Sequence, residues 1–508
     1  LRRRRRKGGS RRFSSRSQGP RKTRESAGDS AEYSAKSEST TVARRTTIRG
    51  RGGLRRRVRR VKTARPKGTH AMTVARFAPS PTGLLHAGNL RTALLNALLA
   101  RRAGGRFLLR FDDTDAARSQ ERFVEAARED LRWLGLKWDE EIRQSARLDR
   151  YAAAADRLRA AGRLYPCYET PDELERRRRL QRAAGLPPVY DRAALALSAA
   201  DRAGLEAEGR RPHWRFRLDA EPVVWPDAVQ GRVEIDPAAV SDPVLIREDG
   251  TVLYTLASVV DDAEFGVTDI VRGADHLTNT ATQIQLFSAL RAVPPRFAHH
   301  SLLTGPGGAP LSKRDGARPL AELRADGIEP EALISLLARL GSSRDVAPLD
   351  GLDAAAAEFD LGAFGAGPVA FDPDALRRLS ARILRERPFE DVAARLAALG
   401  IEGVDAPAFW RAVRPNLDRL EDARDWWRIA QEGAAPLIRE EDAAFVDRAL
   451  AMLPPRPWGP ETWSEWTGAV RAETGRKGAA LFKPLRRALT GRDSGPDMAA
   501  FMPLLRAP

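Results

Sequence analysis

The sequence predicts an α/β protein: a doubly wound parallel sheet, interrupted by an insertion and followed by an all-helical region. Three observations predict it. Between residues 74 and 134 two short apolar runs alternate with two segments of helical periodicity, the β–loop–α–β–α rhythm of an open sheet. A similar rhythm resumes near residue 252, after a stretch that lacks it. From about residue 320 onward the pattern is mainly helical, with Trp and Leu at core spacing and Pro/Gly breaks.

The elements follow in order. Residues 74–78 form a first strand, which runs into Pro79-Ser80-Pro81-Thr82-Gly83-Leu84-Leu85-His86-Ala87-Gly88-Asn89 and then an apolar-periodic helix over 90–102. A strand, a Gly/Pro turn and a helix present a helix N-terminus, whose free N–H groups favour phosphate. Residues 106–111 read as a buried strand ending in Asp112-Asp113-Thr114-Asp115. A helix over about 119–134 follows, with Phe123, Ala127, Leu131 and Leu134 at helical spacing. Thr114 or Asp115 suits a helix N-cap, whereas Asp112 stands at the strand end, where open sheets bind ligands. Residues 151–250 hold a charged helix over 173–184, a Pro-rich turn and short strands such as 213–218. The sheet resumes as strands over 252–257 and 267–273, with a crossover helix over about 278–292. The expected divisions are a basic leader (1–71), the first half of the catalytic fold (72–150), the insertion (151–250) and the second half (251–295). A stem-contact domain (296–375) and a helical domain (376–508) complete the chain.

The net charge of +18 lies in the leader. Residues 1–71 hold 25 Lys+Arg against 4 Asp+Glu, whereas the other 437 residues hold 61 against 64. So polar a segment cannot bury enough apolar surface to offset its chain entropy, which predicts disorder. It reads either as an arm adding salt-sensitive affinity for RNA or as an extension outside the native domain, since Met72 opens an ordinary cytosolic N-terminus. The second reading is the expectation. The single cysteine, Cys167, excludes an internal disulfide, fits a reducing compartment and excludes a Cys₄ or Cys₂His₂ zinc site. No apolar run approaches the ~20 residues that span a bilayer.

The residues converge on one chemistry. His86, Lys313 and Arg314 offer cations or donors for phosphate, Arg76 and Arg272 cations for a carboxylate, Asp112 a carboxylate for an ammonium, and Tyr254 a phenol to orient the ligand. That set suits an amino acid beside ATP. The natural reaction is in-line attack of the carboxylate on the α-phosphorus, releasing pyrophosphate. There is no Gly-x₄-Gly-Lys-[Ser/Thr] loop, so a P-loop NTPase is excluded, and no Ser-His-Asp or Cys-His arrangement presents itself.

At this point a resemblance is plain. From residue 72 onward the chain resembles the bacterial-type glutamyl-tRNA synthetases, class I enzymes with a Rossmann catalytic domain. Arg76-Phe77-Ala78-Pro79-Ser80-Pro81-Thr82-Gly83 is similar to their opening strand and loop, His86-Ala87-Gly88-Asn89 to their His-Ile-Gly-His signature, and Leu311-Ser312-Lys313-Arg314 to their Lys-Met-Ser-Lys-Ser loop. Arg110-Phe111-Asp112-Asp113-Thr114-Asp115 is similar to Arg-Ile-Glu-Asp-Thr-Asp, and residues 254–272, with Val259-Val260-Asp261-Asp262, to the second half-site. Thr474-Gly475-Arg476-Lys477-Gly478 and Leu481-Phe482 resemble the anticodon-binding helices.

The resemblance implies roles. Arg76 and Arg272, with Tyr254 beside them, hold the glutamate carboxylates; Ser80 and Asp112 receive its amino group. His86, Gly88, Asn89, Ser312, Lys313 and Arg314 contact ATP, His86 and Lys313 being the catalytic pair. Mg²⁺ arrives with ATP and takes no protein ligand, and no zinc is expected. The partners implied are the glutamate tRNA, with the glutamine tRNA left open, and L-glutamate; no membrane is involved, and the enzyme is a cytoplasmic monomer. The insertion grips the acceptor end and the C-terminal helices read the anticodon. Arg and Trp near Trp426-Trp427 are stacking candidates, though a helix core is the expected place of those tryptophans. Four positions depart from the family pattern: Asp112 for Glu, Asn89 for the second His, Pro310 for the loop's first Lys, and Cys167-Tyr168 without the further cysteines of zinc-binding members. The rivals are a glutaminyl-tRNA synthetase, a truncated paralogue that glutamylates a tRNA base, an inactive RNA-binding module and a small-metabolite nucleotidylyltransferase. The helical C-terminal region argues against the first two and the last, and the retained His86, Lys313, Arg76 and Arg272 against the third.

Overall fold

The computed structural model describes residues 72–309, 311 and 318–506. The leader reading therefore lies outside the described residues, and so do Pro310, Ser312, Lys313 and Arg314.

In chain order the catalytic region begins with β1 (Val74–Phe77), α1 (Ala87–Arg102), β2 (Arg106–Phe111), α2 (Glu121–Trp133), β3 (Glu140–Arg143) and α3 (Leu148–Ala160). A mixed segment follows: β4 (Leu164–Cys167), α4 (Pro171–Ala183), α5 (Ala199–Ala207), β5 (His213–Phe216), β6 (Val223–Asp227), β7 (Gly231–Ile235) and β8 (Val244–Ile246). Then come α6 (Tyr254–Glu264), β9 (Asp269–Gly273), α7 (Leu277–Ala289), β10 (Arg296–His300) and β11 (Leu303–Thr304). The main sheet has the order β3-β2-β1-β9-β10-β6-β7, parallel throughout except for the β6/β7 hairpin. From β1 the chain moves outward on one side through β2 and β3, while β9 pairs with the other side of β1. The crevice at the C-terminal ends of β1 and β9 is thus the topological switch point, where open α/β sheets take their ligands.

The strands lie where the apolar runs predict them, because β1 and most of β2 are buried on both faces and need no alternation. Residues 252–257 are a correction. The run predicts a strand, but Tyr254 opens α6, and Val252 contributes only an isolated bridge to Ile246. The helix is buried nearly all round, from Leu256 to Asp262, so its sequence lacks the amphipathic period that marks a helix. Neither Thr114 nor Asp115 caps α2; its N-cap residue is Gln120, and Asp115 instead accepts from Arg118 across a turn. Strands β3 and β10 carry too many charged or histidine residues to read as apolar runs. The hairpin β6/β7, which the reading leaves inside the insertion, supplies two strands of the main sheet. The rest of that segment, β4-β5-β8, forms a separate antiparallel sheet whose apolar face packs on α3, α6 and α7 through Leu164, Phe216, Leu245, Leu256 and Phe287.

Helix α8 (Leu320–Ala325) lies against α2, while α9 (Pro330–Arg339) and α10 (Gly351–Glu358) lie against α1, sharing its core through Leu90, Leu94, Leu333 and Leu337. After β12 (Val369–Ala370), which pairs with β11, the described chain is helical: α11 (Pro373–Glu386), α12 (Phe389–Ala398), α13 (Ala406–Val413), α14 (Ala423–Glu432), α15 (Ala443–Ala451), α16 (Thr462–Thr474), α17 (Ala479–Thr490) and α18 (Met498–Phe501). Their starts follow the expected chemistry: Asp372 caps α11 with Pro373 at its first position, as Thr170, Pro171 and Glu173 do for α4. Trp410 and Trp466 fill the core of this region. Trp426 and Trp427 are half-buried at the edge of that core, with edge contacts to Phe501 and Phe409, so the core reading holds for one side of each ring.

Candidate active site

On one side of the switch point stands the start of α1. His86 is its N-cap: its Nδ1 accepts from the Gly88 N–H at 3.1 Å, while Asn89 Oδ1 accepts from the His86 N–H at 3.2 Å. Asn89, expected at ATP, thus closes a capping box. Because Nδ1 accepts, the imidazole proton sits on Nε2, the kind of donor a phosphate oxygen accepts. Burial holds the ring below the ordinary histidine range, so it is neutral at pH 7. A Cβ at Gly88 would stand 2.9 Å from His86 Cε1, so a side chain there would displace the capping imidazole. The described residues flanking the Ser-Lys-Arg loop return to this turn. Leu320 N–H donates to the Leu85 carbonyl at 2.9 Å, and Pro319 bridges His86.

The strand ends supply the charges. Arg76 on β1 donates to Asp262 on α6 at 3.1 and 3.4 Å. Arg110 on β2 is 1 % exposed and donates to Asp112 at 2.7 Å and to Asp262 at 2.7 Å. Asp261 accepts from Gln144, Arg147 and Tyr151. Burial pushes the Asp112 carboxyl up to about 6 against the pull of Arg110, while Arg76 and Arg110 hold the buried Asp262 below the carboxylate range. Asp112 N–H donates to the Pro79 carbonyl at 3.0 Å, which joins this network to the loop carrying the exposed Ser80.

Across the crevice, Arg272 on β9 is 4 % exposed, yet among the described residues no carboxylate lies within ion-pair distance of it. Its partners are neutral: Tyr254 OH at 2.9 Å, Thr280 Oγ1 at 2.5 Å, Gln283 Oε1 at 2.7 Å and His299 Nε2 at 3.3 Å. Burial, reinforced by the charge of Arg76, holds its guanidinium below the usual arginine range. The same burial and the charge of Arg272 push His276 down to about 4. Four acceptors for five N–H groups leave one N–H of Nη1 without a partner among the described residues.

The structure therefore brings Arg76, Asp112, Tyr254 and Arg272 to one crevice, with His86 and Gly88 at the adjoining helix start. Sequence reasoning missed Asp227, Thr280, Gln283 and His299 around Arg272. His299 and His300 stand side by side in the sequence, but nothing local marked Asp227. Of metal-ligating groups, one trio among the described residues, Cys167, Glu169 and His213, brings donor atoms within 4.8 Å. Tyr190 OH donates to Glu169 Oε1 at 2.7 Å and faces Cys167 Sγ at 3.6 Å, and Arg215 donates to His213 at 3.3 Å, while Glu169 Oε2 is buried without a hydrogen-bond partner among the described residues.

A parallel sheet with a capped phosphate-type helix start and paired arginines at its switch point defines a nucleotide-activating α/β enzyme. Residues 72–349 match the family model described as tRNA synthetases class I (E and Q), catalytic domain. The chain is 57 % identical over 435 residues to glutamate–tRNA ligase 2 of Dinoroseobacter shibae, covering 86 % of this chain and 99 % of that one. It is 56 % identical over 435 residues to glutamate–tRNA ligase 1 of Paracoccus denitrificans, with 86 % and 99 % covered. Among solved structures it is similar to a glutamate tRNA ligase from Elizabethkingia meningosepticum in complex with its amino acid, with a TM-score of 0.75, 26 % identity, and 86 % and 97 % of the two chains covered. The chain belongs to the class I tRNA synthetases of this E and Q family.

Proposed function

We infer that the crevice between β1 and β9 is where a glutamate–tRNA ligase joins glutamate to ATP. The observation that carries this reading is Arg272, a buried guanidinium with no carboxylate partner among the described residues, at the switch point beside a phosphate-type helix start. Arg272 and Arg76 receive the glutamate carboxylates, Tyr254 orients them, and Asp112 with Ser80 takes the ammonium. A neutral glutamine amide would leave Arg272 uncompensated, and unpaired buried charge costs several kcal/mol, which favours glutamate.

ATP enters as its Mg²⁺ complex over the start of α1, with His86 Nε2–H and the approach permitted by Gly88 on its phosphates. Ser312, Lys313 and Arg314 serve as ATP-binding residues, Lys313 against the charge that develops on the α-phosphate. A glutamate α-carboxylate oxygen bonds to the α-phosphorus as the bond to the β-phosphate oxygen breaks, releasing pyrophosphate. The 2′-hydroxyl of the terminal adenosine then attacks the acyl carbon, and AMP leaves with the bonding pair. The segment around β4-β5-β8 grips the acceptor end, residues 376–508 read the anticodon, and the enzyme works as a cytoplasmic monomer. No described helix is long and apolar enough to cross a membrane.

The test is charging of purified glutamate and glutamine tRNAs with labelled glutamate by the full chain. Charging of the glutamate tRNA is the expected result, and charging of both widens the enzyme to two tRNAs. Folded protein that charges neither overturns the reading.

A further inference from the structure

Arg272 is useful to a substrate carboxylate only if its planar fork is held at one angle, and its neutral partners set that angle. One of them is tied to a charge on a strand the sequence reading gave to the insertion. His299, on β10, has no exposed surface and lies between Phe297, stacked at 6.2 Å, and Trp225, edge-on at 6.4 Å. So enclosed a ring cannot turn over without displacing core side chains. Its Nδ1 stands 2.5 Å from Asp227 Oδ2, at the end of β6. Asp227 Oδ1 accepts from the backbone N–H groups of His299, Val229 and Gln230 at 2.9–3.0 Å. These three backbone donors on Oδ1 favour the ionised carboxylate, which faces Nδ1 as an acceptor. Although burial alone would raise it, the His299 ring and then these backbone groups hold the Asp227 carboxyl down at about 2. The imidazole proton must therefore sit on Nδ1, and Nε2 presents a lone pair to Arg272 Nε–H at 3.3 Å and Thr280 Oγ1 at 2.8 Å.

We propose that Asp227 and His299 form a positioning pair for amino-acid recognition: Asp227 fixes the His299 tautomer, and the resulting Nε2 lone pair aims the Arg272 guanidinium at the substrate's side-chain carboxylate. This rests on the reading of Arg272 as a glutamate-binding residue. Neither member touches the substrate, so both act through Arg272. The alternative tautomer would set an Nε2–H against the Nε–H of Arg272, donor against donor.

The experiment measures charging kinetics on the full chain at saturating tRNA, varying glutamate and ATP separately. In Asp227→Asn the side-chain amide can donate to Nδ1, which moves the imidazole proton to Nε2. The expected result is a rise in KM for glutamate of tenfold or more, with kcat within about threefold and KM for ATP unchanged. The double variant Asp227→Asn/His299→Gln supplies a glutamine oxygen near the position of Nε2 and has no tautomer to reverse. Its expected glutamate KM returns to within about threefold of the parent. A weakened fold would not be repaired by a second substitution, so this rescue separates positioning from packing. If Asp227→Asn does not fold, His299→Leu against His299→Gln asks the same question, with the leucine variant alone raising glutamate KM. An unchanged KM in Asp227→Asn, no rescue in the double variant, or equal KM values for the two His299 variants would overturn the proposal. Arg272→Ala distinguishes the two levels. An unaltered glutamate KM there removes the glutamate-site reading itself, whereas a large loss there with no effect of Asp227→Asn removes the positioning pair alone.

Discussion

Two buried guanidinium environments face each other across the switch point, and they are built in opposite ways. On the side of β1, β2 and α6, Arg76 and Arg110 share Asp262, and Arg110 also holds Asp112. On the side of β9, β10 and α7, Arg272 meets hydroxyl, amide and imidazole acceptors only. Burying a charge costs several kcal/mol unless it is paired. The first arrangement offsets that cost within the fold; the second leaves part of it to be offset by an incoming anion. Lack of an acid partner is not sufficient by itself. Arg91, also buried and held down to about 10 by burial, donates to the carbonyls of Ser301 and Leu340, the latter at the negative end of α9. It pins α1 to its neighbours through backbone carbonyls alone, one of them on Ser301, which follows the last residue of β10. The lesson is that an acid-free arginine points to a ligand when its partners are neutral side chains and it stands where the topology opens a crevice.

The comparison can be broken most forcefully at Asp262. Asp262→Ala leaves Arg76 without its carboxylate partner and Arg110 with Asp112 and, at 3.9 Å, Asp261. Breaking a buried pair by removing one partner typically costs about 3–5 kcal/mol. Urea unfolding should show a loss of that size, and an unchanged midpoint would mean that the network is not what stabilises this half. The next test converts one side into the other. Gln283→Glu places a carboxylate 2.7 Å from Arg272 with almost no change of shape. Stability should hold or rise, while kcat/KM for glutamate falls at least tenfold, about 1.4 kcal/mol. Full activity with this internal acid present would contradict the need for an uncompensated charge.

The smallest effect is in pH. His213 and His300 are pushed by burial down to about 4, and His299 is lowered for the same reason. In the unfolded chain each titrates near 6.5. Between about pH 6.5 and 4 the unfolded state therefore binds more protons, so stability is complete above that window and falls as pH drops through it. His86 and His276 are lowered by burial as well, while Asp112 and Asp130, raised to about 6, act in the opposite sense over part of that range, two groups against five. Calorimetry should show Tm falling by a few degrees from pH 7 to pH 5. A Tm that rises on acidification would mean that the acid-rich half governs the response.

Much of this was legible residue by residue. The strand ends at Arg76 and Asp112, the helix start at His86 and the strand carrying Arg272 all lie where apolar runs and turn chemistry place them. Local pattern misled at residues 252–257, because a helix buried on all sides has no polar face to show its period. It was silent on β3 and β10, whose Glu, Arg and His residues hide strands that the sheet nonetheless buries. The hairpin β6/β7 was visible as neither part of the sheet nor part of the site, since β6 touches β10 through a single parallel pair, Asp227 with Phe297.

By itself the sequence determined the chemistry on offer: which cations, carboxylates and helix starts exist, and in which order the strands and helices that carry them form. Side-chain type and local spacing control those features, and they act over a few residues. The tertiary structure alone decided which charges meet. Asp262 lies 186 residues from Arg76 and Asp227 lies 72 residues from His299, yet each stands within hydrogen-bond reach. No local periodicity encodes such a meeting. It arises because parallel strands distant in sequence pair side by side, and the buried groups at their ends must then find acceptors, donors or a ligand.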